Sequence, residues 1–101
     1  MDVTIQEKEK TLIVSFNGRL DSLSAPGAEK EILPVMNQNE FETVILDCHE
    51  LSYIASSGLR LLFTILKTEK MKGGRVILKD VNNFVRSILD LTGFYSMFEI
   101  Q

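Results

Sequence analysis

Apolar and polar positions along this chain alternate, run together and recur in a pattern that lays out its elements in order. Val3 to Gln6 alternates weakly, and the polar run Glu7-Lys8-Glu9-Lys10 marks a turn. Thr11-Leu12-Ile13-Val14-Ser15-Phe16 follows, a β-rich run closed by the turn signal Asn17-Gly18. These two strands are close enough to pair as an antiparallel hairpin. Ser22 to Asn39 is harder to parse. Ser22 or Ser24 suits a helix cap, Pro26 suits its first turn, and Ala28, Ile32, Val35 and Met36 fall near helical spacing. Pro34 is expected to kink or end that helix, because it lacks an N–H and clashes with the preceding turn.

The next run, Thr43-Val44-Ile45-Leu46-Asp47-Cys48, is short and almost continuously apolar, as in a buried parallel strand. From Ser57 the pattern turns helical, with Ser57 as its cap and Leu59, Leu62, Phe63, Leu66 and Lys70 on one face. Gly73-Gly74 supplies the stop. Arg75-Val76-Ile77-Leu78 is another strand. Asn82 caps a last helix with Val85, Ile88 and Leu89 inward, ended by Gly93, and Phe98-Glu99-Ile100 forms a short end strand or a tail.

The order β-β-α-β-α-β-α contains two strand–helix–strand crossovers. It predicts an α/β fold: one domain over residues 1–101, with a mixed, mostly parallel β-sheet edged by an antiparallel N-terminal hairpin and packed with α-helices. Such sheets carry their functional groups at the carboxyl ends of strands. Here that is the segment from Asp47 to Gly58.

Composition narrows the function. A chain of 101 residues has room for one hydrophobic core, and 45% apolar with 25% charged residues is ordinary for a folded domain. A formal charge of −3, without a basic patch, argues against nucleic acid as a partner. The single cysteine, Cys48, sits in an apolar run and reads as a small core residue in a reducing compartment. No stretch of signal-peptide type and none of the roughly 20 apolar residues a membrane helix needs is present, so a cytoplasmic protein without membrane insertion is expected.

Catalysis is not expected. His49, the one histidine, has no Cys or acidic cluster at metal-ligand spacing and reads as a surface loop residue. The glycine-flanked pentapeptide of a hydrolase nucleophile elbow is missing its first glycine, where Ala55 stands. Gly73-Gly74 lacks the Lys-Ser/Thr of a phosphate loop. No metal and no cofactor are expected.

Three stretches resemble the STAS domain family, in its anti-sigma factor antagonist form. Gly18-Arg19-Leu20-Asp21 looks like the family's glycine–x–leucine–aspartate after the second strand. The run from Leu46-Asp47-Cys48 through Ser56-Ser57-Gly58-Leu59-Arg60 to Leu62 is similar to its signature, an aspartate-ended strand leading to a serine-serine-glycine-leucine corner. Leu91-Thr92-Gly93-Phe94 with Met97-Phe98-Glu99-Ile100 is similar to its C-terminal ending.

The resemblance implies a partner-switching regulator that binds an anti-sigma factor with serine kinase activity and is reset by a serine phosphatase. The phosphoacceptor role falls on Ser57, with Ser56 as the alternate, and the binding surface on Asp21, Ser56, Ser57, Gly58, Leu59 and Arg60. Arg60, one turn on, is placed to pair with a phosphate. One departure stands out: regulators of this kind commonly carry aspartate where this chain has Ala55, so a carboxylate that could orient the serine or contact the kinase is missing. A second reading within the family is a non-catalytic subunit of a lipid-transport or stressosome-like complex, in which Ser57 only caps its helix.

Overall fold

The computed structural model describes residues 1–101 and shows five strands and three α-helices: β1 (Asp2–Lys8), β2 (Thr11–Leu20), α1 (Ala25–Gln38), β3 (Thr43–Ile54), α2 (Ser56–Met71), β4 (Arg75–Lys79), α3 (Asn83–Thr92) and β5 (Glu99–Ile100), with a 3₁₀ turn at Tyr95–Met97. The strands lie in one sheet in sequence order, β1 and β2 antiparallel and every later pair parallel. Each of the three crossovers therefore steps in the same direction, and right-handed connections put all three helices on one face.

Burial follows that topology. Leu12, Val14 and Phe16 of β2, Val44, Leu46 and Cys48 of β3, and Val76 and Leu78 of β4 point into a single core with the inner faces of the helices. The opposite face carries Ile13, Ile45 and Ile77 in register at its centre, framed by Thr11, Thr43 and Arg75 on one side and Ser15, Asp47 and Lys79 on the other. The expected α/β domain with a hairpin edge is the one found. Cys48 is in the core, and burial pushes its thiol up to about 12, so it stays a protonated packing group.

Four expectations need correction. Asn17-Gly18 does not end β2. Gly18, at φ +114°, sits inside the strand at an irregularity, where a side chain would be strained, and the strand runs on to Leu20. Pro34 does not end α1 either. It lies on the solvent side, so water can serve the carbonyl one turn back that loses its N–H partner, while Ala25, Ala28, Ile32 and Met36 keep the inward stripe continuous.

The apolar run at Thr43 is only the first half of β3, which spans 12 residues. Two bulges carry it onward. Ser15 pairs with Asp47 but Asn17 with Glu50, and Gly18 pairs with Leu51 but Arg19 with Tyr53, so β3 holds one extra residue at each step. Side chains serve both irregularities: Asp47 Oδ1 accepts from the His49 N–H at 3.1 Å, and the Ser52 hydroxyl donates to the Gly18 carbonyl at 3.0 Å. His49 is thus an exposed strand residue rather than a loop residue, 3.6 Å from Glu50. Lastly, Phe63 and Lys70 leave the inward face of α2, which is built by Leu59, Leu62, Ile65, Leu66 and Glu69. Phe63 instead meets Phe94 edge-on at 6.0 Å.

β4 pairs with β3 only up to Asp47, so the β2–β3 ribbon projects past it. The N-terminus of α3 closes the open edge of that ribbon. Asn82 accepts from the Val85 N–H at 2.8 Å as the expected helix cap, and its Nδ2 donates to the carbonyl of buried Leu51 at 2.7 Å. Asn82→Ala removes a cap and orphans a buried carbonyl together, a loss of about 2–3 kcal/mol. Urea unfolding should show a lower midpoint at unchanged slope, and Asn82→Asp, which keeps the cap alone, should fall between.

Candidate functional site

The projecting ribbon carries the serine corner. At its tip β2 ends at Leu20, and the Leu20 carbonyl accepts from the Ala55 N–H at 2.9 Å, which fixes the start of α2 against the end of β2. The approach is so close that a Cβ on Gly58 would lie 2.6 Å from the Leu20 carbonyl oxygen and 2.8 Å from Ile54 Cγ1. Only glycine fits there. Leu59 follows it into the core at 6% exposure.

These two members of the expected surface therefore face inward and hold the corner in place. Helical geometry then leaves Ser56 and Arg60 exposed and Ser57 half-buried toward α1.

Ser57 does not cap α2. The capping position is Ala55, in extended conformation, and Ser57 is the second residue of the helix. The Ala55 carbonyl accepts from Leu59 N–H at 3.0 Å, the first bond of the helix. Alanine has no side-chain acceptor, so α2 begins uncapped, with the amides of its first turn and the positive end of its dipole facing the serines. The Ser57 hydroxyl makes no hydrogen bond within the protein, and neither serine is hydrogen-bonded to a histidine or carboxylate. Ser57 lines a shallow depression of about 160 Å³ between α1 and α2 together with Ala25, Pro26, Glu29, Arg60 and Leu61.

Asp21 lies at the start of α1 at the same end of the sheet. Its Oδ1 accepts from the N–H groups of Leu23 and Ser24, both at 3.1 Å, and so orders the turn that opens α1; Ser24 occupies the expected capping position of that helix but makes no side-chain cap bond. The Ser24 hydroxyl donates instead to the Arg19 carbonyl at 2.7 Å and stands at 3.0 Å from the Asp21 N–H, which it accepts. The Ser24 amide above all, with Leu23, the Ser24 hydroxyl and Arg19, holds the Asp21 carboxyl below the usual carboxylate range despite some desolvation.

Sequence reasoning missed a chain of side chains that joins Asp21 to α3. Arg19 is 3.8 Å from Asp21 and stacks on Tyr53 with its guanidinium carbon 4.2 Å from the ring centre. Tyr53 in turn stacks on Phe84, ring centres 6.0 Å apart. Arg19 and Tyr53 stand in the quoted motifs and could have been noticed. Phe84, 55% exposed, carries no sequence signal, because only the overhang of β3 brings α3 to it.

The fold and its corner define a small two-layer α/β module that presents a serine pair at the start of a helix. The family pattern of the STAS domain matches residues 2–101, and the chain belongs to that family. It is similar to BtrV of Bordetella bronchiseptica, 29% identical over 100 residues that take in 99% of this chain and 85% of that one. It is also similar to the anti-sigma-B factor antagonist of Bacillus subtilis, 25% identical over 99% of this chain and 90% of that one. Among solved structures, unphosphorylated SpoIIAA, an anti-sigma factor antagonist, superposes with a TM-score of 0.80 over 99% of this chain and 87% of that one. At 20% identity this likeness speaks to the fold alone. No helix of the chain is long and apolar enough to cross a membrane.

Proposed function

We propose that this protein is an anti-sigma factor antagonist whose binding to an anti-sigma factor with serine kinase activity is controlled by phosphorylation of Ser57. Membership of the STAS family and relatives named as such antagonists support the antagonist reading. The observation that carries the control is Ser57 itself: a half-exposed hydroxyl with no partner, in the first turn of a helix that no side chain caps.

In the transfer, the Ser57 oxygen attacks the γ-phosphorus of ATP held by the kinase, ADP leaves, and the serine proton passes to a base of the kinase. A phosphate there adds about 1.5 to 2 negative charges. The surface formed by Asp21, Ser56, Ser57 and Arg60 then goes from about neutral to negative without refolding, and the anti-sigma factor is released. A serine phosphatase restores the hydroxyl.

Mixing the protein with an anti-sigma factor of the serine kinase type and ATP, followed by mass-spectrometric mapping, tests the reading. Phosphate on Ser57 that disappears in Ser57→Ala supports it, and phosphate confined to Ser56 moves the acceptor by one residue. A stable complex with no transfer overturns the control and leaves the chain as a permanent subunit of a larger assembly.

A further inference from the structure

The depression beside Ser57 holds two charged side chains of opposite sign, Glu29 from α1 and Arg60 from α2. Neither is spent on an ion pair: the pairs in the molecule are Arg19–Asp21, His49–Glu50, Arg75–Glu99 and Arg86–Asp90. The remaining walls, Ala25, Pro26 and Leu61, are apolar and leave room for a phosphoryl group. Taking Ser57 as the phosphoacceptor, as proposed above, a phosphate on its hydroxyl enters a space where one helix offers a cation and the other an anion.

We infer that Glu29 is a positioning residue for phosphorylated Ser57: it opposes capture of the phosphate by Arg60 and keeps the group turned outward. The reasoning is electrostatic. Arg60 alone would draw the phosphate into the depression and hold it there with charge-assisted hydrogen bonds. A sequestered phosphate would neither repel a partner nor meet a phosphatase. Glu29 lines the same depression with a charge of the same sign as the phosphate. The dianion is then disfavoured inside and favoured in solvent. The unphosphorylated protein has no such conflict, since a neutral hydroxyl asks nothing of either charge.

The two residues act on one titration with opposite signs. An adjacent cation favours the dianion of phosphoserine, whose second pKa is about 6, and an adjacent anion disfavours it. Phosphoserine installed at position 57 during translation makes the measurement independent of any kinase. Loss of enzymatic transfer would then sink the reading of Ser57 without touching this one. Phosphorus NMR titration of that protein should show the second pKa falling by roughly half a unit in Glu29→Gln and rising by a similar amount in Arg60→Gln, with Glu29→Asp close to the parent. Removal of the phosphate by a broad-specificity serine phosphatase should slow several-fold in Glu29→Gln and recover in the double variant Glu29→Gln/Arg60→Gln. A pKa that does not move in Glu29→Gln, or a phosphate released as fast from that variant as from the parent, overturns the inference.

Discussion

Ser57→Asp should bind the anti-sigma factor more than a hundredfold more weakly than the parent protein, while its melting temperature stays within a few degrees. The two halves of this expectation come from different features of the corner. Ser57 is the second residue of α2 and borders solvent, so an aspartate needs no repacking, and a carboxylate in the first turn is favoured by the helix dipole by a few tenths of a kcal/mol to about 1. At a contact surface the same charge is stripped of water with no counter-charge supplied for it. A penalty of about 3 kcal/mol there corresponds to a little over two decades in the dissociation constant. Ser57→Ala, which adds no charge, should bind as the parent does. Calorimetric titration of the three proteins against the anti-sigma factor reads the effect. Raising the salt should narrow the gap, since screening weakens exposed charge pairs most. Full-strength binding by Ser57→Asp would sink the electrostatic control.

The largest gain in stability is expected at the other end of α2. Glu69 is 1% exposed on the inward face of that helix, and neither of its carboxylate oxygens has a partner. Gly74 closes over it so tightly that a Cβ there would collide with Oε2. Lys72, a cation that attracts it, is committed to the carbonyls of Met36 and Asn39 at the end of α1. Burial therefore pushes the Glu69 carboxyl up, Lys72 attracts it only in part, and Glu40 adds to the rise.

Below the ordinary glutamate range, folded and unfolded chains both hold this proton and Glu69 carries no ionic penalty. As pH climbs from that range to the raised value, the unfolded chain ionises first, so stability is lost with rising pH. Asp21 and Glu99, whose carboxyls are held low by their partners, work in the opposite direction and lose their contributions as pH falls. Glu69→Met, which fills the space without polar atoms, should stabilise the protein at neutral pH by about 1–3 kcal/mol. That corresponds to a rise in melting temperature on the order of 5–15 °C. The gain over the parent should be larger at pH 8 than at pH 4, a difference that cancels the other carboxylates. An equal gain at both values, or a loss, would contradict a buried unpartnered acid.

The sequence was most legible where the chain obeys one local rule at a time. Asn82 and Gly93 bracket α3 as their chemistry requires: the amide accepts from Val85, and the glycine takes a left-handed conformation at φ +76°. The apolar runs of β2, β3 and β4 named the sheet, and three spaced motifs named the family. The misreadings all arise where tertiary structure overrides the local rule. In β3 the buried positions run Val44, Leu46, Cys48, then Leu51 and Ile54, so the period changes from two to three at the bulges, and a strand reads as a loop. Ser57 looked like a cap because serine is a good one. The hydrogen bond from Ala55 to Leu20 starts the helix two residues earlier. Pro34 passed as a helix end because nothing in its neighbourhood says that it faces water. The candidate site is legible as a place and not as an arrangement: its motifs contain Ser56, Ser57, Asp21 and Arg60, whereas Glu29 and Phe84 reach them only through packing.

The overhang of β2 and β3 beyond β4 also bears on how the protein meets another molecule. The corner stands on paired strands rather than on a loop. Asn82 latches its outer edge, Gly58 seats against Leu20 beneath it, and Arg19, Tyr53 and Phe84 are stacked across its top. A contact surface held in this way is already shaped before an encounter, so little ordering entropy is spent on docking and the free and bound backbones should nearly coincide. A stiff platform has no second shape to offer a regulator. If phosphorylation of Ser57 controls binding as proposed, the signal is carried there as added charge on a fixed shape.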